Sequence, residues 1–447
     1  AADRDKEWRM LNNNDNDDGW YIGEAAGNPA RGLYISNNGG NTSTYTGSAN
    51  NTVFAYAGFN NFEAAKQYTV SFDWICNGEN SADYLRAWLV PNDVTLTAGT
   101  SLPTGAGATS SPSNWIALDG NSKMNLKSEW QHQTSYIKVP TDGAYKLVFM
   151  WRSDYSVAHD PAAAIDNVSI VESEKYDITV NVTKDAENAP MGAAPTAKVG
   201  VEPLASLTDI YEHTTVTLTA GAANYGYQFV NWTNSHDVTM GAGNYVTITL
   251  MSDTVLNANY DSLEFTITAA KALLPNSSEY GGEVAGTATV KFNLPVTLTA
   301  TPEYGYHLVN WVNDHDEVCG TDEILTVNAY RDSTFTAHFD TNVYNVTVHF
   351  DANMGTVEGP ATIKHFLDAD YVATANTSYR FVNWTDSNSI VLGTSTTLNI
   401  AAVSNTIVNA NFDTNTYALT VNVAAACEGW GTVDGSNPAA KHFVNYE

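Results

Sequence analysis

The chain has 447 residues, and 20 Lys and Arg against 49 Asp and Glu give it a formal net charge of −29. That length exceeds what one hydrophobic core organises, and so negative a field repels phosphate backbones and anionic lipid surfaces. Nucleic-acid binding is therefore disfavoured, while 24 Tyr, 11 Trp and only 15% charged residues suit a folded β protein rather than a disordered acidic chain.

The start, Ala1-Ala-Asp-Arg4, lacks the basic and apolar regions of a signal peptide, and no run of about 18 apolar residues occurs anywhere. If the protein is exported, this is expected to be its mature form, with no membrane-inserted segment in this stretch. Residues 1–172 hold seven of the eleven Trp and no internal repeat. Short strands are predicted at Tyr68-Thr-Val-Ser-Phe-Asp-Trp74, Tyr84-Leu-Arg-Ala-Trp-Leu-Val90, Ser135-Tyr-Ile-Lys-Val139 and Ala144-Tyr-Lys-Leu-Val-Phe-Met-Trp151, with turns between them. Such a pattern implies a β-sandwich, with the Thr-, Gly-, Ser- and Pro-rich stretch from Thr95 to Ser113 as a long surface loop. Trp74, Trp88 and Trp151 alternate with other apolar residues and read as core, and Arg86 reads equally well as a surface residue.

Two local patterns stand out, Asn12-Asn-Asn-Asp-Asn-Asp-Asp-Gly-Trp20 and Pro161-Ala-Ala-Ala-Ile-Asp-Asn-Val-Ser-Ile170. With the strand order they resemble the jelly-roll domains called cleaved-adhesin or choice-of-anchor J domains, relatives of MAM and of carbohydrate-binding jelly rolls. The resemblance covers about residues 1–172 and rests best on Ile165-Asp-Asn-Val-Ser-Ile170. It implies that an acidic loop near the start and an Ile-Asp-Asn strand near the end come together around a structural calcium. The chemistry agrees, because a hard cation takes six to eight oxygens and an Asp/Asn loop supplies carboxylate, amide and backbone oxygens together. The expected ligands are Asp15, Asp17 and Asp166, with Glu7 and Asp18 as further candidates. The alternative is a solvated Asx turn, with Asp166 capping a strand end. An EF-hand fails: with Gly19 at the sixth loop position the twelfth is Ala25, and shifting the register to use Glu24 puts Asp18 where Gly is needed.

A recognition domain of this kind suits glycans, since a pyranose face stacks on an aromatic ring while nearby polar groups engage its hydroxyls. The loop-placed candidates are Trp115, Trp130 and Tyr155, the last beside Arg152 and Asp154.

Beyond residue 172 the sequence repeats itself. Tyr225-Gly-Tyr-Gln-Phe-Val-Asn-Trp232, Tyr304-Gly-Tyr-His-Leu-Val-Asn-Trp311 and Ser378-Tyr-Arg-Phe-Val-Asn-Trp384 align, with Trp-to-Trp spacings of 79 and 73. Each follows a strand (Val216-Thr-Leu-Thr-Ala220, Val296-Thr-Leu-Thr-Ala300, Tyr371-Val-Ala-Thr-Ala375) and precedes a closing strand ending in Asp261, Asp340 or Asp413. Alternating segments such as Tyr344-Asn-Val-Thr-Val-His-Phe350 are half-buried strands, and no amphipathic helix is evident. Trp232, Trp311 and Trp384 read as core. The predicted modules are 176–261, 264–340 and 343–413, with a partial fourth at 417–447. There Lys441-His-Phe443 echoes Lys364-His-Phe366 but no Trp strand follows, so the natural polypeptide is expected to continue or another chain to complete the module.

The order of these strands resembles the divergent B-repeat modules of internalin-type bacterial surface proteins. That resemblance implies an extracellular or cell-surface location, a stalk or spacer role and a β-grasp-like or small-sandwich fold. The fold class expected for the whole is mainly β, a jelly-roll sandwich followed by tandem β-rich modules.

Cys76, Cys319 and Cys427 fall in different modules, so they are expected to be buried free thiols. None of the usual metalloprotease, serine-hydrolase, phosphate-loop or dinucleotide motifs is present, and His213, His236, His315 and His338 take non-equivalent positions in the repeats. The expectation is a non-catalytic adhesin or lectin-like binder of a glycan or extracellular protein. Two other readings stay open: a fibre subunit that self-associates through the repeats, and the accessory part of a larger secreted protease or glycosidase.

Overall fold

The computed structural model describes residues 7–14, 18–48, 50–241, 243–422 and 435–441. Among them every regular element is a strand, and no helix is long and apolar enough to cross a membrane. The chain divides into two compact units, Ala1–Ala223 with Phe229–Tyr260, and Asn224–Gln228 with Asp261–Glu447.

The first unit opens with a sandwich of ten strands: β1 Arg9–Leu11, β2 Gly19–Gly23, β3 Gly32–Ser36, β4 Asn51–Phe62, β5 Gln67–Cys76, β6 Tyr84–Pro91, β7 Ile116–Ala117, β8 Lys127–Lys138, β9 Gly143–Ser153 and β10 Ala164–Glu172. They form two antiparallel sheets ordered β1-β4-β9-β6-β7 and β2-β3-β10-β5-β8. Residues of alternating parity face inward, so Val53, Ala55, Leu85, Ala87, Leu147, Phe149 and Trp151 meet Phe72, Trp74 and Ile165 between the sheets.

Strands β4, β6 and β9 are buried on both faces, which is why their sequences run almost continuously apolar instead of alternating. The second face carries Phe54, Tyr84, Trp88, Val148 and Met150. Its cover is the stretch expected to be a simple surface loop, whose Leu96, Leu102 and Ala108, with Val94 just before it, pack down onto the sheet. Arg86 lies under this cover, fully buried, and is not the surface residue expected. Its Nε and Nη2 grip the carboxylate of Asp119 at 2.5 and 3.1 Å, its Nη1 reaches the carbonyls of Gly107 and Ser110, and its guanidinium lies 4.6 Å from the Trp88 ring. A buried charge needs this full set of partners, and the carbonyls that complete it come from the loop itself.

The repeats are two-layer β modules, with a second sheet where a β-grasp would place a helix. In the third, Thr362–Lys364, Val343–His349, Thr406–Thr414, Tyr379–Asp386 and Val391–Gly393 form one sheet, and Gly355–Glu358, Asp368–Ala375 and Thr397–Ala401 the other. Trp384 is completely buried between them with Tyr371, Val408 and Ala410. The first long strand runs parallel to the last, Val346 opposite Thr406, as Ile178 is opposite Thr254 and Ile267 opposite Ser333 in the other two modules. Each module thereby ties its own beginning to its end.

Within the second unit the modules at 264–340 and 343–413 are joined by packing as well as by the chain. Asn342 donates its N–H to the carbonyl of Gly305 at 2.8 Å, and His365 donates its own to Asn342 at 2.8 Å. Gly305 has φ +88°, and a Cβ there would overlap the ring of His365. Tyr304 and Tyr306 close around His365 and Phe366 with ring centroids 4.8 and 5.5 Å apart. Within the first unit, the sandwich meets the following module through Tyr136 stacked on His213 at 3.6 Å and through Gln67 Nε2 donating to the Glu212 carbonyl at 2.7 Å.

The closing aspartates, to which the sequence reading attached no chemistry, have a shared role. Asp261, Asp340 and Asp413 accept the N–H of Ser262, Thr341 and Thr414 at 2.7–2.8 Å. They also face Lys291, Lys364 and Lys441 at 2.7, 3.7 and 3.2 Å. Cys319 is exposed, contrary to the expected buried thiol, because it lies on the short outer strand Val318–Gly320; Cys76 is buried, and Cys427 lies outside the described residues.

Candidate functional site

A cleft of about 910 Å³ in the head lies beside the β2–β3 hairpin and the start of β10. Its walls are Glu7, Trp8 and Arg9 before and within β1, Asn28 to Leu33 from the hairpin loop, and Ile165 to Val168 from β10, with Ile22 and Phe59 adding apolar surface.

The Ile165-Asp-Asn-Val168 motif builds one wall. Pairing of β10 with β5 shifts register between Asp166 and Ser169, and Asn167 takes φ +50°, a left-handed conformation that Asn tolerates better than most residues. The bulge turns Asp166 and Asn167 toward the hairpin loop. Asp166 accepts the N–H of Asn28 on Oδ2 at 2.5 Å and that of Asn167 on Oδ1 at 2.7 Å. Asn167 Nδ2 donates to the Asn28 carbonyl at 2.8 Å and to Asp73 Oδ2 at 2.7 Å. Asn28 Nδ2 also reaches Asp73 at 3.1 Å, and His132 Nδ1 lies 2.6 Å from Asp73 Oδ1. Burial by itself would raise the Asp73 carboxyl, but the donors Asn167, His132 and Asn28 outweigh it and hold it below its ordinary value. The loop is thus fixed by a carboxylate–amide network and its outer side is free for contact.

Arg9 and Arg31 are exposed on the cleft, and neither has an acid or hydrogen-bond partner among the described residues. Two guanidiniums without an ion-pair partner thus stand on one cleft, whose lining also carries the carboxylates of Glu7 and Asp166, and an Arg binds an anionic group by a planar bidentate fork. Trp8 and Phe59, half-buried and packed against the sandwich core with Trp8 5.7 Å from the Phe149 ring, give the cleft an apolar rim.

The ligand residues expected from sequence do not gather here. Trp115 is 9% exposed and meets Trp88 edge-on at 5.2 Å, so it belongs to the covered face and is not a loop platform. Trp130 packs with Tyr34, Ile75 and Ala164 on the outer face of the opposite sheet. Arg152 donates to Thr52 Oγ1 at 3.0 Å and to the Thr100 carbonyl at 2.8 Å, helping to hold the covering loop. Tyr155, 71% exposed, is the one with an open ring. Arg9 and Arg31 were missed because isolated arginines in an irregular segment carry no periodicity; the net charge was the one clue that any unpaired cation would matter.

Of the expected metal ligands, Asp15 and Asp17 lie outside the described residues. Asp166 is committed to the hairpin loop, as above. Asp18, next to the pair, accepts the N–H of Thr46 at 2.9 Å and is fully buried. It precedes Gly19, which is opposite Ser36, whereas Asp166 follows Ile165, which is opposite Leu33; the two residues therefore sit toward different ends of the β2–β3–β10 ladder.

Among solved structures, the chain is similar to the adhesin domain of Epf from Streptococcus pyogenes, at 11% identity over 72% of this chain and 83% of that one, with a TM-score of 0.24. It is also similar to the Bacillus anthracis TIE protein, at 9% identity over 92% and 74% of the two chains and a TM-score of 0.29. A third likeness is to the pilus adhesin SpaC from Lactobacillus rhamnosus GG, at 8% identity over 78% and 56% and a TM-score of 0.16. Among curated proteins none matches. In the C-terminal part, three stretches, residues 200–264, 275–343 and 344–416, match the divergent InlB B-repeat domain family.

Proposed function

We propose that the chain is a cell-surface or secreted protein of adhesin type, whose head binds an acidic extracellular saccharide in the cleft lined by Arg9 and Arg31 and whose repeats act as a spacer. The observation that carries the reading is the pair of unpartnered guanidiniums beside Trp8 and Phe59 in an otherwise acidic molecule. Arginine forks take the carboxylate and the apolar surface takes a sugar face. The repeat match and the packed junction at Gly305 and His365 support the spacer role, since a joint that buries rings transmits position better than a free linker. The reading assigns no reaction to the chain.

The test is a glycan array probed with the full chain, carrying uronate- and sialate-bearing and neutral saccharides. Binding is expected to acidic members, to weaken with added salt, and to fall by about tenfold or more in Arg9→Ala/Arg31→Ala, in line with the loss of two charge-assisted contacts. Silence across the acidic members, or undiminished binding by the double variant, removes the assignment.

A further inference from the structure

Three carboxylates meet at one end of the head sandwich, away from the network around Asp166. Glu79 and Asp83 come from the loop between β5 and β6, Asp154 follows β9, and their oxygens lie within 4.8 Å of one another. Asp83 is 1% exposed. Its Oδ1 accepts the N–H of Asp154 at 3.0 Å and its Oδ2 the hydroxyl of Tyr45 at 2.6 Å, so each oxygen keeps a lone pair. Asn125 Nδ2 holds the loop from beneath by donating to the carbonyls of Glu79 and Asp83 at 2.6 and 3.3 Å. Among the described residues none of the three carboxylates is ion-paired. Lys123, whose ammonium enters the same loop, donates to the carbonyl of Asn80 instead. Burial first, and then the charges of Glu79 and Asp154, push the Asp83 carboxyl above its ordinary value.

An independent feature points into the same place. Ser153 of β9 is opposite Asn51 of β4, and Arg152 is opposite Tyr84 of β6, so Asn51, Ser153 and Asp83 form one row across three strands. All three face the interior, each being two residues from an inward neighbour: Val53, Trp151 and Leu85. Ser153 and Asn51 are fully buried, yet Ser153 Oγ and Asn51 Oδ1 have no hydrogen-bond partner. A buried hydroxyl oxygen without a partner, next in the row to a carboxylate without a counter-ion, belongs to the kind of oxygen set that a hard cation takes.

We propose that Glu79, Asp83 and Asp154, with the Ser153 hydroxyl behind them, form an oxygen-only site for a divalent cation of calcium type. Ligand oxygens at about 2.3–2.6 Å from a shared calcium span up to about twice that distance, which matches the spacing of the three carboxylates, whereas magnesium demands a tighter octahedron. The ion would pin the β5–β6 loop to the end of β9. The site shares no residue with Asp15, Asp17 and Asp166, and it does not depend on what the cleft binds.

The test uses the full chain after treatment with EDTA. Calcium followed by calorimetry and by thermal unfolding is expected to bind and to raise the melting temperature of the head, with magnesium much weaker. Glu79→Gln/Asp154→Asn should weaken calcium binding by about tenfold or more, the loss expected when two of three charged ligands go, while Asp166→Asn leaves it unchanged. Near-UV circular dichroism verifies that the double variant is folded. The single change Glu79→Gln, on a partly exposed loop side chain, should move binding in the same direction. Absence of both heat and a melting shift at about 10 mM calcium, above the weakest extracellular range, would overturn the proposal. So would undiminished binding in the folded double variant, or a loss of binding confined to Asp166→Asn.

Discussion

The head and a repeat module are both two stacked sheets, but they fill and cover those sheets differently. The head has a core on both faces of one sheet, and its second core exists because a chain segment of nearly twenty residues folds back over Trp88 and Arg86. A module has a single core around one fully buried Trp, and it closes by pairing its first strand in parallel with its last. In the head the cover comes from a loop close by in sequence, Gly107 and Ser110 lying 21 and 24 residues from Arg86, whereas a module closes between its two ends, as Ile178 pairs with Thr254. Losing a contact of the cover therefore loosens one face of one sheet, whereas losing the end-to-end pairing opens the module.

The largest expected effect tests the head. Asp119→Ala leaves the Arg86 guanidinium buried with only carbonyl and hydroxyl partners, a change that costs about 3–5 kcal/mol when one member of a buried ion pair is removed. Urea unfolding followed by Trp fluorescence should show that loss in the head transition, with the repeat transition unmoved. Equal shifts in both would erase the distinction between the two regions.

A smaller effect tests the joint between modules. Gly305→Ala forces a side chain into a left-handed residue facing the His365 ring, at a cost of about 1–3 kcal/mol. Differential scanning calorimetry should register it in the repeat transition. The equivalent position before Asn415 is Ser378 at φ +76°, so the last joint already carries the strain that this substitution introduces.

The smallest effect is a gain. In the first and third modules Asn259 and Asn411 donate their side-chain amides to Asn231 and Asn383 at 2.8 and 2.9 Å. In the second, His338 stands opposite Asn310, and the Asn310 Oδ1 is buried without a partner. His338→Asn should restore the donor and stabilise that module by about 0.5–1.5 kcal/mol. A melting temperature that falls instead would show that the ladder is not interchangeable among the repeats.

Much of this architecture was legible because it rests on periodic local signals. Period-two alternation marked the repeat strands, and a thrice-used Phe/Leu-Val-Asn-Trp segment marked the modules, whose Trp232, Trp311 and Trp384 are indeed fully buried. Other features had no such trace. Arg86 looked like a surface residue because nothing near it in sequence announces the carbonyls of Gly107 and Ser110 that receive it. Trp115 looked like a loop aromatic because a Thr/Gly/Ser/Pro stretch reads as solvent-exposed until the apolar face beneath it is seen.

Alone, the sequence determined the all-β class, the contrast between a non-repeating head and repeated modules, and the net acidic character. Side-chain alternation, turn residues and net charge are local or additive properties, so they survive without coordinates. Tertiary structure decided which residues meet: Arg9 with Arg31 on one cleft, Glu79 with Asp83 and Asp154 at one sheet end, and the parallel pairing that closes each module. Those meetings depend on strand order and register, which join residues far apart along the chain and leave no mark within any short window of it.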